Sequence, residues 1–191
     1  MTQFIPYTVV LTWHTETSSR TVQAIEARVV WMESGSLSLT YFLNGDTTRL
    51  RIPPPRDPRR ADGLWQHTCF EVFIAEKGQQ SYWEFNFSPS GEWAGYVFRG
   101  YRDGGPIEDD KLDPGITVWS AANCFELEAC VRLDRFLTIT PQAELRLGLS
   151  AVVEENNGTI SYWALKHPPG KPDFHHPDSF ALELALPDKS A

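Results

Sequence analysis

Three polar side chains alternate with aromatic ones along two short segments of this 191-residue chain. Glu71 lies in CFEVFIAE, whereas Glu84 and Asn86 lie in YWEFNF. Successive side chains of a β-strand point to opposite faces, and a turn near Lys77-Gly78 would set Glu71 close to Glu84 across a hairpin. The alternation therefore predicts one polar face carrying these three residues, together with an apolar face packed between two sheets: Phe70, Val72, Ile74, Trp83, Phe85 and Phe87.

Two neighbouring carboxyl groups are compatible with three roles. Glycoside hydrolysis uses one carboxylic acid to protonate the leaving oxygen and one carboxylate as nucleophile or base, which Glu71 and Glu84 could supply. Alternatively, Glu71, Glu84 and Asn86 form the floor of a concave ligand surface, where polar groups fix the hydroxyls of a sugar. A hydrogen-bonded sheet face without a ligand is the third role, and the residue types alone leave all three open.

Aromatic side chains near these segments could form the wall of such a site. A Trp ring offers a flat apolar face to the C–H side of a sugar while its N–H stays available for a polar partner. Trp65 follows a Pro- and Arg-rich loop, Trp93 follows a Ser-Pro-Ser-Gly turn, and Trp163 precedes a second long loop. We expect the wall to consist of Trp65 with either Trp93 or Trp163.

Histidines add a possible rim to the site. His67 precedes the central strand, and His175 and His176 lie in the second loop near Asp173 and Asp178. Imidazoles and carboxylates can hold a divalent metal. We favour a loop pinned by histidine side chains to backbone carbonyls, and we expect neither a metal nor a haem cofactor, because metal-ligand spacing and a Cys-x-x-Cys-His motif are both missing.

Apolar residues recur at i, i+2 and i+4 along most of the chain, which is typical of strands. Turn residues separate the runs, and helix-strand alternation is missing. The pattern predicts an all-β sandwich of about ten antiparallel strands in two sheets, forming one domain over residues 1–191. The predicted strands are Val22–Met32, Ser36–Leu43, Thr68–Ala75, Ser81–Ser88, Glu92–Arg99, Ile116–Ser120, Cys124–Leu133, Glu144–Glu154, Thr159–Lys166 and Phe180–Leu186.

Two long Pro-rich loops, Pro53–Leu64 and His167–Ser179, interrupt this pattern. Long ordered loops in compact domains are often functional, and loops at one end of a sandwich cluster there. We therefore expect both loops to flank one shared site. The arginines of the first region, Arg51, Arg56, Arg59 and Arg60, form either a solvated loop or a clamp for an anionic group, because guanidinium forks suit carboxylates.

Charge and cysteine usage restrict the partners and the compartment. Lys plus Arg total 17 against 25 Asp plus Glu, and a net charge of -8 repels nucleic acid and anionic membrane surfaces. The three cysteines form neither a disulfide framework nor a metal motif, and signal-peptide and membrane-spanning patterns are missing. We expect a cytoplasmic protein with reduced thiols, a small-molecule ligand, and no nucleic-acid or membrane partner. The sequence leaves the oligomeric state open.

Several motifs resemble those of a known superfamily. Glu71-Val72-Phe73-Ile74, Glu84-Phe85-Asn86 with Ser88-Pro89-Ser90-Gly91, and the closing strand Phe180–Leu186 are similar to the DOMON-like superfamily, close to the family 9 carbohydrate-binding modules of xylanases. The resemblance covers residues 20–187. It implies a β-sandwich with a concave ligand-binding sheet, whose ligands are sugars in some members and haem in others. His67-Thr68-Cys69 stands where family 9 modules carry acidic residues, so their calcium and sugar chemistry does not transfer intact.

These observations favour a non-catalytic β-sandwich that binds a saccharide or related small molecule on a concave sheet face. A glycoside-active enzyme using Glu71 and Glu84 is the main alternative. A haem-binding module or a protein-interaction module with exposed sheet edges are the others.

Overall fold

Strands carry the fold in a computed structural model of the chain, which describes residues 6–17, 19–32, 34–107, 109, 112–135 and 144–185. Short 3₁₀ turns are the only helical elements within these ranges. The strands are β1 (Tyr7–Trp13), β2 (Val22–Trp31), β3 (Ser36–Gly45), β4 (Cys69–Glu76), β5 (Tyr82–Phe87), β6 (Trp93–Gly100), β7 (Asp103–Pro106), β8 (Thr117–Ala121), β9 (Cys124–Arg132), β10 (Glu144–Glu154), β11 (Ile160–Ala164) and β12 (Leu182–Ala185).

The strands form two antiparallel layers that share β1. One layer has the order β7-β6-β5-β4-β10-β11, and the other has the order β1-β2-β3-β9-β8. The first part of β1 pairs with β2, whereas Thr12 and Trp13 at its end pair with β11. Strand β12 pairs with β10 beside β11. Strand β1 therefore links the two layers into a continuous sheet.

Apolar side chains from both layers fill the space between them. Phe70 of β4 stacks on Phe125 of β9 with ring centroids 5.6 Å apart, and it also contacts Tyr41 of β3. The predicted apolar face of β4 and β5 lies in this core, where Trp83 is partly buried and the other five side chains are fully buried. The predicted all-β sandwich and the two-faced character of β4 and β5 are confirmed.

The β4–β5 hairpin turns at Lys77 and Gly78, as expected. Gly78 has a φ of 87°, in the left-handed region that glycine adopts without strain. The register sets Glu71 opposite Asn86 and Glu84 opposite Phe73. The two glutamates share a face but are not directly opposite each other, so the expected cross-strand contact between them is corrected to a diagonal one.

All ten predicted strands are present, and two further strands complete the layers. Strand β1 lies in an amino-terminal segment for which the sequence predicted no element. Strand β7 includes Asp103-Gly104-Gly105, although these residue types are typical of a turn between strands. A Cβ at Gly104 would clash with the backbone of Val97 and Phe98, so the missing side chain lets this segment pair closely with β6.

None of the described helical turns is long and apolar enough to span a membrane. The three cysteines, Cys69, Cys124 and Cys130, are free thiols in the structure.

Replacing Phe70 by Ala should destabilise the fold by about 3–5 kcal/mol, because the change removes a fully buried ring that contacts both layers. Urea unfolding measures this loss. Val10→Ala on β1 is the control, since Val10 is 59% exposed and its truncation should change stability by about 0.5 kcal/mol or less. Equal effects from the two variants would contradict the assigned core.

Candidate functional site

A cavity of about 430 Å³ lies on the outer face of the layer that contains β4 and β5. This face carries the side chains that alternate with the core residues, so Glu71, Phe73 and Glu84 point into it. The segment between β11 and β12 covers the face. The lining comprises Trp65, Glu71, Phe73, Glu84, Tyr96, Phe98, Arg102, Val152, Tyr162, Pro172, Phe174 and His175.

Histidine side chains hold the covering segment in place. His14 Nε2 lies 2.8 Å from the carbonyl oxygen of Gly170, and His167 Nε2 lies 2.8 Å from that of Thr12. The two rings also pack edge to face with centroids 5.0 Å apart. The expected pinning of this Pro-rich loop to backbone carbonyls is confirmed for His167, and the partner His14 was not foreseen.

Glu71 and Glu84 form the polar floor of the cavity, whereas Asn86, which was also predicted for the floor, is fully buried beside Glu84 and does not belong to the lining. Asn86 Nδ2 donates a hydrogen bond of 2.8 Å to Glu84 Oε1, and Ser150 Oγ donates one of 3.4 Å to Glu71 Oε2. Glu71 Oε1 and Asn86 Oδ1 are buried, and neither has a hydrogen-bond partner within the described residues. Buried polar atoms without partners are rare in folded proteins, and they require an explanation beyond sheet packing.

Burial controls the protonation of the two carboxyls. Desolvation raises the pKa of Glu84 to about 7, although the hydrogen bond from Asn86 and the positive charge of Arg102 oppose the shift. Desolvation also raises the pKa of Glu71 well above its usual value, and the nearby Glu84 adds to the effect. A carboxyl that loses water without gaining a cation favours its neutral form, so this floor is largely protonated below neutral pH.

His175 forms one side of the cavity as a neutral imidazole. Its Nδ1 lies 2.9 Å from the hydroxyl of Tyr82, and its Nε2 lies 3.7 Å from Glu84 Oε2. Its ring packs edge to face against Phe73 and Phe98, each at 5.1 Å between centroids. Burial and the charge of Arg102 lower the pKa of His175 to about 4, so it carries no charge at neutral pH.

Arg102 reaches the cavity from the turn between β6 and β7. Among the non-glycine residues that the structure describes, it alone has a positive φ, of 55°. Its backbone N–H donates to the Tyr82 hydroxyl, and its guanidinium lies 2.9 Å from Asp173. A residue in this sparsely populated region costs free energy, which the contacts to Tyr82 and Asp173 offset.

The aromatic wall consists of Trp65 and Tyr96. Trp65 is 44% exposed, and its ring packs edge to face on Tyr96 with centroids 6.2 Å apart. The Tyr96 hydroxyl donates to Asp62 at 2.8 Å, which ties the first long loop to β6. Trp65 therefore lies at the cavity, as expected.

The other two predicted wall residues, Trp93 and Trp163, lie elsewhere. Their side chains are 3% and 1% exposed and belong to the core between the layers. The expectation that either forms the wall is wrong, because the alternation along β6 and β11 turns both rings inward. Tyr162, next to Trp163, points outward into the cavity instead.

Two of the three predicted rim histidines also lie away from the lining. His67 Nδ1 lies 2.7 Å from Glu154 Oε2, in an ion cluster with Arg51. His176 caps a 3₁₀ turn by accepting a hydrogen bond from the backbone N–H of Asp178. The rim was expected to hold His67 and one of the pair His175 and His176; His175 lines the cavity, so the prediction is corrected for His67 alone.

The arginines of the first loop do not form a clamp directed at the cavity. Arg56 and Arg59 both pair with Glu92, Arg51 pairs with Glu154, and Arg60 pairs with Asp62. These ion pairs attach the loop to Glu92, just before β6, and to Glu154 at the end of β10. Within the described parts of the chain, no group of three or more His, Cys, Asp or Glu side chains has an arrangement that could hold a metal ion.

Sequence reasoning missed four lining residues that the alternation could have identified: Tyr96, Phe98, Val152 and Tyr162. Tyr96 pairs with Glu84 and Phe98 pairs with Tyr82 across β5 and β6, so all four share the polar face. Tyr162 pairs with Val152 on the same face. By contrast, Phe174 and Arg102 come from a loop and a turn, where no period predicts the direction of a side chain.

Neither a family model nor a curated protein matches the chain. Solved structures do resemble it. A protein from Bacteroides uniformis ATCC 8492, provisionally described as carbohydrate-binding, aligns with a TM-score of 0.69 at 12% identity, over 96% of this chain and 86% of that chain.

A family 9 carbohydrate-binding module from Caldicellulosiruptor kristjanssonii also aligns with the chain. Its complex with glucose has a TM-score of 0.53 at 12% identity, over 94% of this chain and 86% of that chain. Its complex with cellotriose has a TM-score of 0.53 at 13% identity, over 94% and 84%. Likeness at these identities supports the family 9 resemblance at the level of the fold, and the wider DOMON-like assignment stays a prediction.

Replacing Glu84 by Gln should remove a pH-dependent loss of stability. Because the pKa of Glu84 is about 7 in the folded protein against an ordinary 4.5, the native carboxyl destabilises the fold progressively as the pH rises from about 4.5 to 7. Glu84→Gln should therefore gain about 3 kcal/mol over the native protein at pH 8 and little at pH 4.5.

Urea unfolding of both proteins across this pH range measures the difference, which includes the loss of the Glu84 charge that raises the pKa of Glu71. Glu128→Gln, which changes an exposed glutamate on β9, is the matched control and should leave the pH dependence unchanged. Parallel curves for the native protein and Glu84→Gln would contradict the assigned protonation.

Proposed function

We propose that the protein is a non-catalytic saccharide-binding domain whose ligand occupies the cavity above β4 and β5. The observation that carries this proposal is the floor of the cavity. Glu71 lines this floor with a carboxyl oxygen that has no hydrogen-bond partner within the described residues, below the aromatic wall of Trp65 and Tyr96. Sugar hydroxyls can donate to and accept from a carboxyl group, and sugar C–H faces pack on aromatic rings.

The chemistry of the lining supports this ligand class. Trp65 and Tyr96 are on one side of the cavity, and Tyr162 of β11 packs against Phe174 of the covering segment with ring centroids 6.1 Å apart. The cavity volume of about 430 Å³ falls within the range of small-molecule sites. The resemblance to solved carbohydrate-binding proteins is in line with this assignment, although it extends to the fold alone.

An enzyme acting on glycosidic bonds is less well supported. Both hydrolytic mechanisms need one protonated and one ionised carboxyl beside the scissile bond. Here burial raises the pKa of Glu71 and Glu84 together, so both carboxyls favour the neutral form below neutral pH. Release of reducing sugar from a bound oligosaccharide would favour the enzyme instead.

A thermal-shift screen with glucose, cellotriose, haem, calcium and zinc tests the ligand class. A ligand that binds only the folded state at about 100 times its Kd adds about 2.7 kcal/mol, which for a protein of this size raises Tm by roughly 5–10 °C. We expect a shift with at least one saccharide. A shift with haem or a metal alone would refute the proposal.

Trp65→Ala should weaken saccharide binding by about 1–3 kcal/mol while leaving the fold intact, because a half-exposed ring contributes little to the core. Isothermal titration calorimetry measures the affinity, and urea unfolding verifies stability. Trp119→Ala is the matched control, since Trp119 is 58% exposed on β8 of the other layer. Undiminished affinity in a folded Trp65→Ala variant would place the ligand elsewhere.

A further inference from the structure

A second cavity of about 370 Å³ lies beside the first one. His175 lines both cavities, and its hydrogen bond with Tyr82 forms part of the boundary between them. The wall of the second cavity is mainly apolar, with polar groups at its edge. Its main lining residues are Gln79, Tyr82, Tyr101, Arg146, Pro177 and Phe180.

Arg146 is the one guanidinium of this second cavity. Its Nη2 donates to the carbonyl oxygens of Pro177 and Phe180, both at 2.9 Å. No carboxylate within the described part of the chain forms an ion pair with it. These neutral carbonyl oxygens accept hydrogen bonds from one guanidinium nitrogen of Arg146. Among the described residues, the positive charge of Arg146 therefore has no counterion.

Nearby charged groups are engaged with each other. Glu183 is opposite Arg146 on β12, yet its carboxylate pairs with Lys77, which also binds Glu144. Between the two cavities, Arg102 pairs with Asp173. Arg146 therefore differs from its neighbours in having charge available for a ligand.

We infer that the second cavity binds a carboxylate-bearing sugar unit, with Arg146 as the partner of the carboxylate. This inference rests on the proposed function, because it places the adjoining unit of the same oligosaccharide in the first cavity, with the linkage passing over the His175 side chain that both cavities share. A guanidinium presents paired N–H donors that match a carboxylate, and partial burial strengthens the interaction relative to water. The rings of Tyr82, Tyr101 and Phe180 provide apolar surface for the sugar ring. The ligand class is thus an acidic oligosaccharide.

Paired disaccharides that differ only in one carboxylate test this inference. Calorimetry of the native protein compares cellobiose with cellobiouronic acid, and galactobiose with digalacturonic acid. At least one acidic member should bind about tenfold or more tightly than its neutral counterpart, since a hydrogen bond to a charged group is worth about 1.5–3 kcal/mol. Equal or weaker binding of the acidic members would overturn the inference while leaving saccharide binding intact.

Arg146→Gln should abolish this preference and leave the affinity for the neutral disaccharide within about twofold. Arg146→Lys, which retains the positive charge, should keep part of the preference for the acidic disaccharide. Arg28→Gln on β2 of the other layer is the matched control, because it removes the same charge from an exposed position. An equal loss for acidic and neutral ligands would overturn the inference, since it would show that Arg146 only supports the loop.

Two further outcomes are distinguishable. If Arg146→Gln does not fold, the comparison of paired ligands in the native protein and in Arg146→Lys still decides the inference. If no disaccharide of either kind binds, the proposed saccharide function itself fails, and the inference fails with it. Trp65→Ala separates the two sites, because it should weaken acidic and neutral ligands alike.

Discussion

The free energy needed to ionise two carboxyl groups inside the protein is the constraint on which the candidate site depends. Glu71 and Glu84 lie on adjacent strands under a covering loop, where water cannot stabilise their charge. Their hydrogen bonds come from Ser150 and Asn86, which are neutral donors. The site therefore has an uncharged, polar floor at low pH, and it acquires charge near neutrality as Glu84 ionises.

This constraint arises because β4 and β5 are buried on both faces. One face packs against the opposite layer, and the other packs under the segment that His14 and His167 attach to the sheet. A smaller aromatic cluster, which includes Phe73 and Phe180, lies on the covered face beside the cavity. The covering loop thus has a core of its own, and that core holds His175 in position beside Glu84.

The arginines near the site pair mainly with carboxylates other than Glu71 and Glu84. In an acidic chain most arginines neutralise local carboxylates, and Glu92 receives two of them from the first loop. Arg102 enters the cavity with Asp173 as its counterion. Among the described residues, no cation is in direct contact with the carboxyls of the floor, which is why their pKa values rise where that of Glu92 falls.

The amino-acid sequence by itself determined every described strand except β1 and β7, and it determined the two faces of the central hairpin. Alternation has a period of two residues, so the side of the sheet on which Glu71 and Glu84 lie follows from their positions relative to Phe70 and Phe85. The same rule places Trp163 in the core and Tyr162 at the cavity, although Trp163 was a residue expected to form the cavity wall. Cavity residues on strands were therefore predictable in principle.

Only the tertiary structure decided which loop residues reach the site. The covering segment and the β6–β7 turn have no periodic geometry, so the positions of His175, Phe174 and Arg102 depend on long-range contacts with β1 and β5. The partners of the charged side chains were also decided only by the tertiary structure. His67 and the arginines of the first loop resembled a binding rim in sequence, but distant carboxylates such as Glu92 and Glu154 pair with them in the fold. Pairing between residues that are far apart in the chain leaves no local pattern, because it arises only once the layers have packed.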